Sequence, residues 1–394
     1  MERDEADRWL AEYRAGTMDR RGFVTRLLAV GASAGTVAAF LEACGGGSTP
    51  KAEAPKDGAA PVDGAAKPAA PAEGELGELE KELSIYNWSD YISEETVPAF
   101  EKEFGVKVNY STYESNEEMM AKLQVGAGGY DLVVPTGYIV TVLAAQNLLH
   151  PLNKKYLTNW GNVAPLFKSP QYDPDNKFGV PYQWGTTGIA FRKDKVNPPP
   201  DSWGVFLDPK YKGKMTQMDD LRDVIGSWLK YRGKSINATE AADLQQAKAD
   251  AVAAKANLKA YLSAPVKGQL VAGDVWIAQL WNGDTAQARV EQPEIGYVLP
   301  KEGAGIWTDS LVIPASAPHK RAAHEFMNFV LRPEVAAGIS NTTGYGTPVA
   351  SAVEKMTTPV AYPTDEELKR LEYQKDLGVA TELWDQIWTE IKSG

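Results

Sequence analysis

Leu83-Ser84-Ile85-Tyr86-Asn87-Trp88-Ser89-Asp90-Tyr91 opens the stretch whose reading decides the fold, and Asp131-Leu132-Val133-Val134-Pro135 closes it. Leu83 to Asn87 has the pattern of a strand. Ser93 is placed to cap a helix that carries Val97, Phe100 and Phe104 on one face and stops at Gly105. Val106 to Thr112 reads as a second strand, and Asn116 opens a helical stretch with Met119, Met120 and Leu123. Gly126 to Gly129 break that helix before the short apolar strand at Asp131–Pro135. The order βαβαβ predicts a parallel sheet with right-handed crossovers. Ligands of such sheets lie beyond the carboxyl ends of the strands, where strand order reverses. Trp88-Ser89-Asp90-Tyr91 and Thr136-Gly137-Tyr138 are therefore expected to line one crevice.

Gly126-Ala127-Gly128-Gly129 precedes a strand, whereas a nucleotide-binding glycine loop follows a strand and opens a helix. It reads as a turn. Beyond Gly179, Val180–Tyr182 and Thr187–Phe191 read as strand segments, Leu221–Tyr231 and Val275–Trp281 as helices, and Ile306–Ile313 as a strand. The remainder from Arg321 is expected to be largely helical. Two such regions predict two α/β lobes, each visited more than once by the chain, with a ligand cleft between them.

The 394 residues include three histidines and one cysteine, which cannot supply a Cys/His zinc cluster, a CxxC pair or an intramolecular disulfide. A formal charge of −11 argues against nucleic acid as a partner and favours a cationic one. Neither a cofactor nor a metal is expected, and His150, His319 and His324 read as ordinary loop or surface residues.

The amino terminus reads as an export signal. Arg20-Arg21-Gly22-Phe23 is a twin-arginine pair followed by a large apolar residue, and the apolar run Leu27–Leu41 is shorter than the ~20 residues a membrane span needs. Leu41-Glu42-Ala43-Cys44 then resembles a bacterial lipobox with Cys44 as the lipidated residue, although Glu42 stands where a small residue is usual. The signal is assigned to residues 1–43, with translation starting at Met1 or Met18. Residues 44–77 are rich in Ala, Pro and Gly and form a tether that holds the folded part away from a membrane.

Several aromatic residues stand beside carboxylates at meaningful spacings. Trp307 and Asp309 are two apart in a strand and share a face. Asp220 and Asp223 lie on one side of the first turn of a helix, a placement that helix capping would also produce. Trp281-Asn282-Gly283-Asp284 sets an aromatic and an acid across a glycine-containing turn. Asp309 is the most informative of these, because an acid inside an apolar strand costs stability unless something pairs with it. Aromatic faces plus carboxylates suit a cation that needs no chemistry done to it, and a linear polyamine meets both demands. Another cationic metabolite is an alternative ligand, and a sugar would also stack on tryptophan and hydrogen-bond to aspartate. A carboxylate-based secreted hydrolase is a further alternative of a different class.

Ser84-Ile85-Tyr86-Asn87-Trp88-Ser89-Asp90-Tyr91, Tyr110-Ser111-Thr112-Tyr113-Glu114-Ser115-Asn116-Glu117, Tyr130–Pro135, Trp281-Asn282-Gly283 and Pro300-Lys301-Glu302-Gly303 together resemble the spermidine/putrescine-binding proteins of bacterial ABC transporters. The likeness runs in register from about residue 82 to the carboxyl terminus. It implies a type II, two-lobed periplasmic-binding-protein fold. Each lobe would be a parallel-type sheet flanked by helices, and the protein would perform no catalysis. The lobes are expected at 78–189 with 309–350, and at 190–308 with 351–394. The resemblance also implies an aromatic box of Trp88, Tyr91, Tyr138, Trp281, Trp307 and Tyr345. Ser89 and Thr136 match small hydroxyl positions, Gln374 matches an amine-contacting glutamine, and Asp220, Asp223 and Asp309 match amine-binding acids. Asp223 replaces a longer glutamate. Asp90 and Asp284 are the acids of putrescine-preferring relatives, so the set is mixed. The expected partners are a polyamine, the permease subunits of an ABC transporter, and a membrane reached through the lipid on Cys44. The protein is expected to be a monomer in the periplasm or at the cell surface.

Overall fold

The computed structural model describes residues 75–394 except 125–128, 264, 359 and 361. The twin-arginine segment, Cys44 and the tether as far as residue 74 lie outside the described residues, as do Gly126, Ala127 and Gly128.

Strand β1 (Glu82–Trp88), helix α1 (Thr96–Phe104), β2 (Lys107–Tyr113), α2 (Asn116–Gln124) and β3 (Leu132–Val133) follow the βαβαβ order read from the sequence. β1 lies between β2 and β3 and pairs parallel with both. The α1 N-cap is Glu95 rather than Ser93, whose Oγ accepts a hydrogen bond from the Glu95 N–H at 3.3 Å. Its end is as expected: Gly105 takes the left-handed conformation at φ 62° and donates to the Glu101 carbonyl. Phe100, fully buried on α1, meets Phe326 and Phe329 edge-on at 5.1 and 5.6 Å. Burying a side chain of this size is worth about 1.5–3 kcal/mol.

The chain continues through α3 (Gly137–Ala145), β4 (Leu149–His150), β5 (Gly179–Arg192), β6 (Met215–Gln217), α4 (Leu221–Tyr231), α5 (Ala241–Lys255) and β7 (Leu258–Tyr261). Next come α6 (Val266–Ala272), β8 (Ile277–Trp281), α7 (Asn282–Glu291), β9 (Ile295–Val298) and β10 (Ala304–Pro314). The last elements are α8 (Lys320–Val330), α9 (Pro333–Thr343), α10 (Asp365–Leu368), β11 (Leu371–Tyr373) and α11 (Thr381–Ser393). The region after Arg321 is thus less helical than expected, since β11 and extended segments interrupt it.

Two other readings need correction. The helix expected at Val275–Trp281 is strand β8, antiparallel to β5 and parallel to β6. Its residues are buried or nearly so on both faces, which erases the alternation that marks a strand and leaves a short apolar run that periodicity cannot assign. The two strand segments after Gly179 are one strand of 14 residues.

The sheet is mixed, with order β2-β1-β3-β10-β5-β8-β6-β7; β11 and β4 pair with β10, and β9 pairs with β5. Parallel sets at its two ends, β1 to β3 and β6 to β8, are joined by the antiparallel pair β5 and β10. Apolar side chains gather into separate cores on the two sides. One contains Leu83, Ile85, Phe100, Leu132, Leu311 and Phe326; another contains Met215, Ile225, Trp228, Leu244, Ile277 and Trp384. β5 gives Val180 and Tyr182 to the first core and Ile189 and Phe191 to the second. Its middle therefore crosses from one core to the other, beside the crossing of β10. Trp281 packs against both cores.

One histidine is not a loop or surface residue, and a second, the partly exposed His319, has a structural partner. His324 is fully buried on α8, where its Nε2 accepts from the Asn153 N–H at 2.9 Å and its Nδ1 lies 2.7 Å from the Lys320 carbonyl. His319 holds the buried Asp131 through its N–H at 2.8 Å and its Nδ1 at 3.0 Å.

Candidate functional site

A cavity with about 660 Å³ of empty space lies where β5 and β10 cross between the cores, beyond the end of β1. Trp88, the last residue of β1, donates from Nε1 to the Val134 carbonyl at 2.8 Å, which turns its ring toward the edge of Trp281, 6.2 Å between centroids. Ser89 donates to Glu114 at 2.6 Å. Asp90 takes a left-handed backbone at φ 53°, a conformation that aspartate tolerates better than most residues.

Asp309 lies at the centre. β10 shifts register between Asp309 and Ser310, and Asp309 also makes an isolated bridge to Thr136. Its side chain is 4% exposed, and burial pushes its carboxyl up to about 7. Thr136 beside it and Tyr91, which donates to Oδ2 at 2.9 Å, oppose that shift. Oδ1 accepts no hydrogen bond from any described residue, and neither does the neighbouring Trp307 Nε1 find an acceptor. Tyr345 closes this wall: it meets Trp307 and Tyr91 edge-on at 5.3 and 5.1 Å and donates to Asp284 at 2.9 Å. Glycines make room for these rings. A Cβ at Gly185 would stand 2.7 Å from the Trp307 ring, and one at Gly283 would stand 2.5 Å from the Tyr345 ring.

Across the cavity, Asp220 is the N-cap of α4 and accepts from the Asp223 N–H at 2.9 Å. Capping and cavity-lining are thus compatible roles for one side chain. Asp223 accepts from Thr187 at 2.9 Å, from Trp281 Nε1 at 3.0 Å and from Gln374 at 3.4 Å. Burial, reinforced by the Asp220 charge, nevertheless pushes its carboxyl up to about 7. Burial raises Asp220 as well. Asp284 is raised by burial and drawn back by Lys267, whose Nζ is 3.9 Å away. Trp281 and Asp284 do not flank a turn; they are the N-cap and first turn of α7, and Asp284 is buried.

Of the residues singled out in the sequence, Trp88, Ser89, Asp90, Tyr91, Thr136 and Trp281 line the cavity. Asp220, Asp223, Asp284, Trp307, Asp309, Tyr345 and Gln374 do so as well. Tyr138 does not. It faces Arg222, with the guanidinium 4.8 Å from its ring centroid, and lines two separate depressions. Strand order places the segment, but which way α3 turns its first side chains is set by packing. Three lining residues lie outside the expected set: Glu114, Asn116 and Lys267. Glu114 and Asn116 fall within the second motif. Lys267 sits in a segment with no distinguishing pattern, and no sequence signal points to it. Among the described residues, no group of three or more His, Cys, Asp or Glu side chains could hold a metal ion.

The family model of the bacterial extracellular solute-binding proteins matches residues 95–370. The chain belongs to this family. Its members are binding proteins and not enzymes. The spermidine/putrescine-binding periplasmic protein of Escherichia coli K12 is 37% identical over 319 residues, 79% of this chain and 92% of that one. The putrescine-binding periplasmic protein PotF of the same organism is 35% identical over 347 residues, 82% and 94% of the two chains. A solved structure of a putative spermidine/putrescine ABC transporter from Listeria monocytogenes matches with a TM-score of 0.77 and 36% identity, covering 79% of this chain and 99% of that one. The fold is thus the type II periplasmic-binding-protein fold. No described helix of this family member is long and apolar enough to cross a membrane.

Proposed function

We propose that the protein captures a linear polyamine, putrescine or spermidine, in this cavity outside the cytoplasm and delivers it to the permease of an ABC transporter. The observation that carries the reading is Asp309: a buried carboxylate with one oxygen unmatched, set among Trp307, Tyr91 and Tyr345. An alkylammonium supplies the missing donor and charge, and the rings cover its methylenes while each contributes about 0.5–2 kcal/mol of cation–π attraction. Relatives whose printed names specify spermidine or putrescine support the same ligand class. In the same reading, residues 78–189 with 309–350 and residues 190–308 with 351–394 form lobes that close on the ligand. Acids of both lobes then share one cation, which relieves the repulsion an empty closed state would suffer. Cys44 carries the lipid that anchors the exported monomer.

Isothermal titration of the protein and of Asp309→Asn with putrescine, spermidine and spermine tests this. Binding that the substitution weakens by about a hundredfold or more is expected. Equal binding by both proteins would refute the role of Asp309, and no heat with any amine would refute the ligand class.

A further inference from the structure

Tyr91 donates to Asp309, yet it lies in a loop past the end of β1. Among the described residues, no backbone–backbone hydrogen bond reaches it. Two side chains of β5 hold it instead: its carbonyl accepts from Tyr182 Oη at 2.8 Å and from Gln183 Nε2 at 3.1 Å. Consecutive side chains of a regular strand point to opposite faces, so neighbours do not grip one carbonyl. Here they do, because β5 is irregular at this point. Asp309 pairs with Gln183 and Ser310 with Pro181, which leaves Tyr182 as an extra residue between them. A bulge of this kind re-aims a side chain.

The other end of the Gln183 carboxamide is used as well. Its Oε1 accepts from the hydroxyl of Thr343, the last residue of α9, at 2.5 Å. Two residues on, Tyr345 packs edge-on against Tyr91 at 5.1 Å. A backbone bridge between Trp184 and Gly346 also ties that segment to β5, so Tyr345 is anchored with or without Gln183, whereas Tyr91 depends on side chains. Gln183 is 1% exposed and is not among the residues that line the cavity. A buried amide matched at both ends fixes what it touches, since release of either end strands a polar group.

We propose that Gln183 is a positioning residue for ligand capture: through the Tyr91 carbonyl it holds the Tyr91 hydroxyl on Asp309 Oδ2 and leaves Oδ1 to the ammonium of the ligand. This rests on the polyamine reading of the same site. When the amide is lost, the loop is free to carry Tyr91 off Asp309, and the buried carboxylate must meet the ligand with one donor fewer. Tyr182 still grips the same carbonyl, so the loss is partial and smaller than removal of the Tyr91 hydroxyl itself.

A double-mutant cycle by titration calorimetry with putrescine and spermidine, on the full chain, Gln183→Met, Tyr91→Phe and the double variant, tests the proposal. Methionine keeps the length of glutamine and removes both polar ends; phenylalanine keeps the Tyr91 ring and removes only the donor to Asp309. Tyr91→Phe is expected to weaken binding about tenfold or more and Gln183→Met about threefold to tenfold, while Gln183→Met costs less than about twofold once Tyr91 is Phe. A glutamine that merely supports the fold would lower affinity by the same factor in both backgrounds. Tyr182→Phe removes the second donor to the same carbonyl, keeps the ring, and should show the same dependence on Tyr91. It carries the test if Gln183→Met fails to fold. Equal factors in the two backgrounds, or Gln183→Met or Tyr91→Phe binding within about twofold of the wild type, would overturn the proposal. Binding of neither amine by the wild type would overturn the polyamine reading itself, a different result from an uncoupled pair.

Discussion

Acidifying the solution from pH of about 8 to about 5.5 should weaken putrescine binding by roughly thirtyfold to a thousandfold, with the sense and size set by two buried acids. Asp309 and Asp223 each have their carboxyl raised to about 7, chiefly by burial. Their unliganded forms are therefore mostly ionised above that value and mostly protonated below it. An alkylammonium, with an ordinary value near 10, stays charged throughout and binds the ionised acid. At pH of about 5.5, an acid titrating at about 7 is ionised in only about one molecule in thirty, so each proton that must leave costs about 2 kcal/mol. One acid gives the lower figure and both acting together the upper. The assay is calorimetry at both pH values and, near pH of about 6, in buffers of contrasting ionisation enthalpy, where release of about one to two protons per ligand is expected. Asp309→Asn should remove one proton from that count wherever residual binding is measurable. Affinity that is equal at both pH values, or heat independent of the buffer, would show that these carboxyls are ionised before the ligand arrives and would refute the reasoning.

The same acids bear on stability with the opposite sense to a salt-bridged carboxylate. A carboxyl raised in the folded state favours folding below its unfolded value of 3.8, and that advantage is lost as pH climbs through about 7. Asp309→Asn should therefore stabilise the unliganded protein at pH of about 8 by about 1–3 kcal/mol while impairing binding, and urea unfolding that shows a loss instead would contradict this. Trp281→Phe keeps a ring but removes the Nε1 donor to Asp223, so titration should show about fivefold to tenfold weaker binding. Gly283→Ala forces the Tyr345 ring aside from Asp284 and should lower affinity about tenfold, whereas Gly338→Ala, with open space around its Cβ, should not.

The opening βαβαβ unit was legible because its signals are local. Apolar spacing along Leu83–Asn87 and Val97–Phe104, with a glycine stop at Gly105, survives in the folded chain nearly unshifted. Trp88 and Ser89 end up in the cavity for the same reason: they follow a strand whose direction is already decided. Legibility failed where burial is two-sided, as in β8, whose continuous apolar run hides its period. It also failed where an element serves two cores. Nothing in the local pattern of β5 says that Val180 and Ile189 belong to different cores of one 14-residue strand.

By itself, then, the sequence determined the class of fold, the aromatic and acidic character of the site, and nearly all of its lining. The first two depend on residue chemistry and on periods shorter than one element, whereas much of the lining, Tyr345 and Gln374 included, was implied only by the resemblance of whole motifs to a family. Only the tertiary structure decided that Tyr138 turns to Arg222 instead of the cavity, that Asp309 keeps an unmatched oxygen, and that Lys267 pairs with Asp90 across 177 residues of chain. Charge pairing follows distance in space, and with an attraction that falls as the separation grows, the partner of a carboxylate is unknowable until the chain has brought the two together.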